Sequence, residues 1–450
     1  MSAPTRKKMV TVIVIVLMAA SAGVSLLYFK PGNEGEAGKD SGVPAPSGGE
    51  TPPTGGDKTI PAVVFPLTGS QAEFTPASDI FAINGTTGRN GGVKALINLM
   101  GEHGLLFYKS STPGKNCGPA GLIAANDVVL IKVNCQWNQR GGTSTDLLSE
   151  LIQAIIDHPD GFSGEIVVAD NGEAQGGSSG NGGSLDWAES NAKDHSQSSQ
   201  KVVDSFSGTH RVSTYLWDTI TATRVDEYSE GDSADGYIVN ATKNPRTGIM
   251  VSYPKFKTEY GTYISFKHGI WDTQTGTYDG GRLKVINVPV LKTHIDYGVT
   301  GCVKHYMGVT SDILTRDLGA RTHTAIRRGA LGTEMIETRF PVLNILDAIW
   351  VNPIPLAGPL TSYQAATRLN VIMASRDLVA LDYWASKHIL LASWKARSGE
   401  ISSSINPDNL DPGSFGDWLR LSMYEIIRGG YQATVDESRM NIYVAEAETI

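Results

Sequence analysis

Four short stretches of this chain are apolar on both of their faces. Residues 128–133 (VVLIKV), 165–169 (EIVVA), 284–290 (KVINVPV) and 369–374 (LNVIMA) lack the polar–apolar alternation of a half-exposed strand. Strands of that kind need cover on both sides, which a largely parallel sheet flanked by helices provides. Helical spacing fills the intervals. Residues 145–158 place Leu147, Leu148, Leu151, Ile152, Ile155 and Ile156 on one stripe and stop at Pro159. Residues 377–391 open on Asp377 as a cap, with Leu378, Leu381, Trp384 and Ala385 on one face. Weaker helical patterns occupy 333–340 and 415–427. Strands alternating with helices predict an α/β fold. Residues 205–282, rich in Tyr, Thr and Trp, read as an insertion or subdomain built on a small antiparallel sheet.

The polar residues that end these strands carry the functional reading. Lys132 lies inside the first run and Asn134 just beyond it. The second ends in Asp170, followed by a glycine-rich loop (171–184). The third leads into Lys292, Thr293 and His294, and the fourth ends in Ser375 with Asp377 after it. If all four strands run the same way, these groups converge on the carboxyl edge, where open α/β sheets bind ligands. A lysine buried in an apolar strand must be paired, neutral or bound to an anion. Residues 300–308 (TGCVKHYMG) read as a short helix capped by Thr300, whose free amides and Lys304 would favour an anion. The resulting site has Lys132, Lys292 and His294 as catalytic candidates, and Asn134, Asp170, Thr300, Lys304 and His305 as ligand-binding ones.

Several chemistries are not encoded. GxxxxGK[ST], GxGxxG and GxSxG are absent, so a Walker loop, a dinucleotide fingerprint and a hydrolase elbow are unsupported. His294, His305 and His323 do not follow a recognised metal-ligand spacing, and no metal is assigned. Arg316, Arg321, Arg327 and Arg328 surround His323, as a solvated loop or as a cap over a carboxylate or phosphate. Only Cys117, Cys135 and Cys302 occur, without a CxxC. One disulfide is permitted in an oxidising compartment, with Cys117–Cys135 the pair nearest in sequence. Asn84-Gly85-Thr86 and Asn240-Ala241-Thr242 fit the glycosylation tripeptide.

The amino terminus bears on location. Arg6-Lys7-Lys8 precede an uncharged, mostly apolar run at residues 9–29, long enough to span a bilayer as a helix. Positive charge before it orients the remainder outward. Ala20-Ser21-Ala22 resembles a cleavage site, so residues 1–30 are a retained anchor or a cleaved signal; the apolar run past Ala22 favours the anchor. The expected location is the extracytoplasmic face, or secretion if the segment is removed. Residues 31–59 are Gly, Pro, Ser, Glu and Asp with little apolar content, the composition of a disordered tether. The α/β domain is expected over 60–450. Formal net charge is −8, and the first thirty residues hold four basic groups and no acid. A domain this acidic is a poor partner for nucleic acid.

IKVN at 131–134, the VPVLKTH…GVTGCVKHYMGV block at 288–309, LNILDAIW at 343–350 and IMASRDLVALD at 372–382 together resemble the family catalogued as domain of unknown function 362, over roughly residues 125–395. The resemblance places Lys132, Asn134, Lys292, His294, Thr300, Lys304, Gly308, Asp347, Asp377 and Asp382 on the family's characteristic positions. His305 stands where the family usually has Asn. Many members carry a ferredoxin-type iron–sulfur domain whose cysteines this chain lacks, so the resemblance implies a redox association only through a separate partner. It implies no established reaction, and the cofactor stays unknown. Three functions remain open: an enzyme acting on a small anionic molecule, a non-catalytic binding module for such a ligand or cofactor, and an accessory to a redox protein.

Overall fold

In a computed structural model, the described residues are 77–173, 182–187, 190 and 196–447. The apolar run at 9–29 and the tether at 31–59 lie outside them, as do residues 174–181 of the glycine-rich loop. Among the described residues no helix is long and apolar enough to cross a membrane.

The organising element is a mixed sheet of ten strands: β1 (Ser78–Asn84), β2 (Val128–Lys132), β3 (Glu165–Asp170), β4 (Val212–Leu216), β5 (Leu283–Asn287), β6 (Val290–His294), β7 (Gly298–Thr300), β8 (Leu343–Asn352), β9 (Thr367–Ser375) and β10 (Met440–Glu446). Its order is β10-β1-β9-β8-β5-β2-β3-β4, with β6 beside β8 and β7 paired to β6. The block β8-β5-β2-β3-β4 is parallel throughout. The α/β fold with a mainly parallel sheet is therefore present. Its unbroken apolar strands have the physical cause expected of them. Val129, Ile131 and Val133 pack in one apolar cluster, whereas Val128 and Leu130 pack in the other, across the sheet. Helices α1 (Gly92–Glu102), α2 (Thr145–Ile156) and α3 (Ser199–Ser207) cover the first face. Helices α4 (Ala330–Glu337), α5 (Leu378–Ala385) and α6 (Phe415–Arg428) cover the second, together with a five-stranded antiparallel sheet between Gly236 and Asp279. That small sheet lies within the expected insertion, although β4, from the same interval, completes the main sheet.

Local chemistry sets the helix starts. Asp377 accepts from the amides of Val379 and Ala380 at the head of α5, and Ser414 accepts from Asp417 at the head of α6. Helix α2 has no side-chain cap; the amide of Ser144, just ahead of it, donates instead to Asp347 of β8 at 2.8 Å and ties the helix start to the sheet.

Two strand expectations need correction. The stretch 284–290 is not one strand, because Pro289 has no amide to donate and the chain breaks there into β5 and β6. Lys292, Thr293 and His294 therefore lie inside β6 and not beyond a strand end. The fourth apolar run, in β9, is antiparallel to both β8 and β1. Its end at Ser375 registers with Asn344 near the start of β8. Asn344 in turn registers with Asn287 and so with Lys132, which puts Ser375 in the same row but three strands away; Ser375 and Asp377 line a separate groove of about 520 Å³. Burial on both faces gives antiparallel and parallel strands the same apolar pattern, so sequence alone could not separate them.

The three cysteines are free thiols, which corrects the Cys117–Cys135 pairing. Cys117 lies in a short strand of an outlying three-stranded sheet, its thiol facing the Thr112 carbonyl. Cys135 is buried beneath the carboxyl edge, its amide bonded to Asp170.

Candidate functional site

A row of polar side chains crosses the carboxyl edge. Lys132 ends β2, registers with Asn287 at the end of β5, and Asn287 registers with Asn344 of β8. Lys132 is fully buried, 0 % exposed, and its ammonium pairs with Asp170 Oδ1 at 2.7 Å. The other oxygen, Oδ2, accepts from the Cys135 amide at 2.8 Å. Burial lowers the lysine pKa while the carboxylate opposes that shift. Asp170 is thus the counter-ion of Lys132, and both its oxygens are engaged. Gly308 lies against the pair: a Cβ there would fall on Asp170 Oδ1 and 2.6 Å from Lys132 Nζ. Only glycine fits without parting the two charges.

Asn287 orients His305. The Asn287 amide group donates to the Cys302 carbonyl at 3.1 Å and to Asn344 Oδ1 at 3.0 Å, leaving its own oxygen 2.6 Å from His305 Nδ1. The other ring nitrogen lies 2.8 Å from the Val133 carbonyl. Both ring nitrogens face acceptors, and a neutral ring donates to only one. Burial, then Lys132, hold the imidazole pKa far below its ordinary value. His305 lines the cavity, and its polar atoms tie β2 to β5.

Lys292 and Lys304 are held differently. Lys292 is 0 % exposed and donates to the Gly141 carbonyl. Burial first, then the like charge of Lys304, lower its pKa to about 7. Lys304 is 7 % exposed; its ammonium stands 5.2 Å from the Tyr297 ring centroid, and burial lowers its pKa to about 8. Among the described residues neither ammonium forms an ion pair. Lys255 of the small sheet provides the contrast. It is also 0 % exposed, but donates to the carbonyls of Asp226 and Asp232 at 2.6 and 2.7 Å and rests on Tyr228. A lysine can be buried for structure alone; Lys292 and Lys304 differ because they open onto shared space.

That space is a cavity of about 30 Å³ lined by Lys132, Asn134, Lys292, Thr300, Lys304 and His305, with Trp137, Gly308 and Pro359 among its other walls. It holds a few water-sized groups. Thr300 faces Lys292 across the β6–β7 ladder. Thr300 Oγ1, Asn134 Oδ1 and Trp137 Nε1 are buried in its wall without hydrogen-bond partners. Buried polar atoms are normally paired, so three such atoms around one cavity mark a place for a polar guest.

The remaining candidates are placed elsewhere. His294, at the end of β6, is outside the cavity lining. Its Nδ1 accepts from the Asp296 amide at 3.0 Å, which leaves the proton on Nε2. Burial and the nearby Lys304 hold its pKa far below the usual range. His323 packs on Tyr297 and is lowered to about 3 by burial. Arg321 pairs with Asp312 at 2.9 Å, and Arg327 donates to the Asp296 carbonyl at 2.7 Å. Among the described residues no three His, Cys, Asp or Glu side chains gather as metal ligands.

The helix-terminus expectation is also corrected. Residues Lys304–Gly308 form only a 3₁₀ turn, and the amides ahead of it are taken. Cys302 N donates to Asp382 Oδ1 at 2.6 Å and Val303 N to Oδ2 at 2.9 Å. Burial raises that carboxyl to about 7. Asp382 belongs to α5, so it buttresses the loop from behind and uses the donors an anion would have required. Asn287 and Glu173 had no place in the sequence reading. Glu173, at positive φ, is buried; burial pushes its pKa well up, and its charge acts on Lys304. Asn287 was hidden inside an apolar run, and Glu173 inside a glycine-rich loop.

Residues 283–387 match the family described as Domain of unknown function (DUF362). The resemblance seen in the sequence holds over this segment. No curated protein matches the chain. The DUF362 segment supplies Lys292, Thr300, Lys304, His305 and Gly308 of the cavity; Lys132 and Asp170 come from strands that precede it, and Asn134 from the loop just past β2. It also contains Asp347, whose pKa burial raises to about 6 and whose oxygens hold Ser144 and Ile349 amides. A cysteine-ligated iron–sulfur cluster takes four thiolates as a rule. This chain has three cysteines in all, and Cys302 is buried behind the loop held by Asp382. Its residues do not fit such a cluster.

Proposed function

We propose that the cavity binds the anionic head of a small molecule and that the protein is an enzyme acting on it. The carrying observation is the pair Lys292 and Lys304: two buried ammonium groups on one cavity, neither in an ion pair among the described residues. Burying unpaired charge is costly, and an anion between the two would relieve that cost. Lys132 is already neutralised by Asp170, so its part is to shape the wall and add to the field. With a pKa of about 7, Lys292 can both take and release a proton near neutral pH, which suits general acid–base work. His294 is less suited, since its Nδ1 is committed to a turn amide and its protonation is strongly opposed.

A binding module would need only the charges, not a lysine poised near neutrality. The redox-accessory reading rests on the family resemblance alone. The run at residues 9–29, with Arg6-Lys7-Lys8 before it, supports placing this activity outside the cytoplasm, membrane-anchored or secreted.

Formate, the smallest carboxylate, tests the reading. Thermal unfolding of the full chain in sodium formate, against sodium chloride at equal ionic strength, is expected to show a saturable rise in Tm. At a hundredfold excess over Kd the stabilisation is about 2.7 kcal/mol. Lys304→Met should abolish the rise. Identical unfolding in both salts at every concentration contradicts the proposal.

A further inference from the structure

The wall of the cavity suggests which anionic molecules it would take, an inference that rests on the anion reading above. Among the described residues Lys292 differs from the other fully buried lysines in what surrounds its nitrogen. Lys132 is tied to a carboxylate and Lys255 to two carbonyls, whereas Lys292 holds one carbonyl, that of Gly141, and opens onto the cavity. Directly across the strand pair stands Thr300, with a buried hydroxyl that has no partner. Asn134 adds a second unpartnered oxygen, and Lys304 a second ammonium, to the same wall. An amine, a cation and an unspent hydroxyl around a few water-sized volumes are the parts needed to capture a carbonyl carbon that has an anionic neighbour.

We propose that Lys292 forms an iminium with a small carbonyl acid, an aldehyde or ketone bearing a carboxylate, whose anionic end is held by Lys304. The nitrogen attacks the carbonyl carbon, and the oxygen receives a proton to give a carbinolamine. A second proton from the nitrogen then leaves with that oxygen as water. In balance, the ammonium and the carbonyl become an iminium and one water molecule, and no redox partner is consumed. Thr300 is placed to relay the proton from nitrogen to oxygen. The depressed pKa of Lys292, about 7, supports the step by keeping much of the amine unprotonated near neutral pH.

The probe is glyoxylate with sodium cyanoborohydride, applied to the full chain at pH 7 and followed by peptide-level mass spectrometry. Reduction of the iminium leaves a carboxymethyl group on the lysine. The expected result is modification of Lys292 roughly a hundredfold faster than of an exposed lysine such as Lys94, because an ordinary lysine is almost wholly protonated at that pH. Lys255, equally buried but away from the cavity, should stay unmodified, and excess formate should slow the reaction at Lys292 alone. These comparisons are made within the wild-type protein; Lys292→Arg, where it folds, should lose the adduct. If Lys292 reacts no faster than exposed lysines while formate still raises Tm, the iminium is refuted and the anion site stands. If neither compound acts, both readings fall.

Discussion

Asp170→Asn is expected to destabilise the protein by about 3–5 kcal/mol, the cost of leaving a buried charge without its partner. The carboxylate is the hydrogen-bonded counter-ion of Lys132, and it also orders the turn at Cys135. The asparagine is nearly isosteric, so the loss reports charge and not volume. Lys132 would answer by shedding its proton, which makes the deficit smaller at high pH than at neutral pH. Removing both charges in Lys132→Met/Asp170→Asn should recover more than half of the loss, since paired buried charges can be replaced by apolar groups at little cost. Guanidinium unfolding of the two variants measures this. A single variant as stable as the wild type would mean that the ion pair does not exist as described.

The second large effect is a dependence on pH. In the folded chain Lys292 has a pKa of about 7, against an ordinary value of 10.5. Below pH 7 the lysine is protonated in both folded and unfolded chains, and the penalty for burying its charge is felt in full. Between about pH 7 and 10.5 the unfolded chain binds a proton that the folded chain does not, so the stability contributed at this position rises with pH. Above 10.5 both forms are neutral and the penalty is gone. The span corresponds to an energy on the order of 5 kcal/mol. Lys292→Met removes the titration. Its stability relative to wild type should therefore be most favourable near pH 6 and should decline by several kcal/mol by pH 10. Losing the bond to the Gly141 carbonyl adds a cost that does not vary with pH and leaves the slope intact. A stability difference that is flat with pH would contradict the assignment.

The α/β architecture was legible because burial on two faces leaves a plain mark. The sequences around Val128–Leu130 and Ile166–Val168 have nowhere to put a polar residue, so Lys132 stood out at once. Strand direction leaves no such mark, so nothing in the sequence shows that β9 runs antiparallel or that Ser375, level with Lys132 but three strands away, lines a different groove. The site was legible as a set of lysines and histidines, but not as a division of labour. Lys132 and Lys292 look alike in the chain. Their difference comes from Asp170, contributed by the neighbouring strand, and from a carbonyl 151 residues away at Gly141. His294 and His305 likewise look like proton carriers, yet one spends Nδ1 on a turn and the other lies between Asn287 and Val133. The helix terminus at Thr300 failed for a related reason: Asp382, 80 residues away from Cys302, occupies its amides. Each of these outcomes depends on long-range pairing that local pattern does not encode.

The most direct test of the account is the titration of Lys292 in the folded protein, followed by NMR of ¹⁵N-labelled lysine with Lys292→Arg as the assignment control. The account predicts an apparent pKa near 7 without added anion, and a rise toward the ordinary value when formate fills the cavity. A pKa near 10.5 that formate does not move would mean that the ammonium is neither strained by burial nor poised for an anion, and the central claim would be wrong.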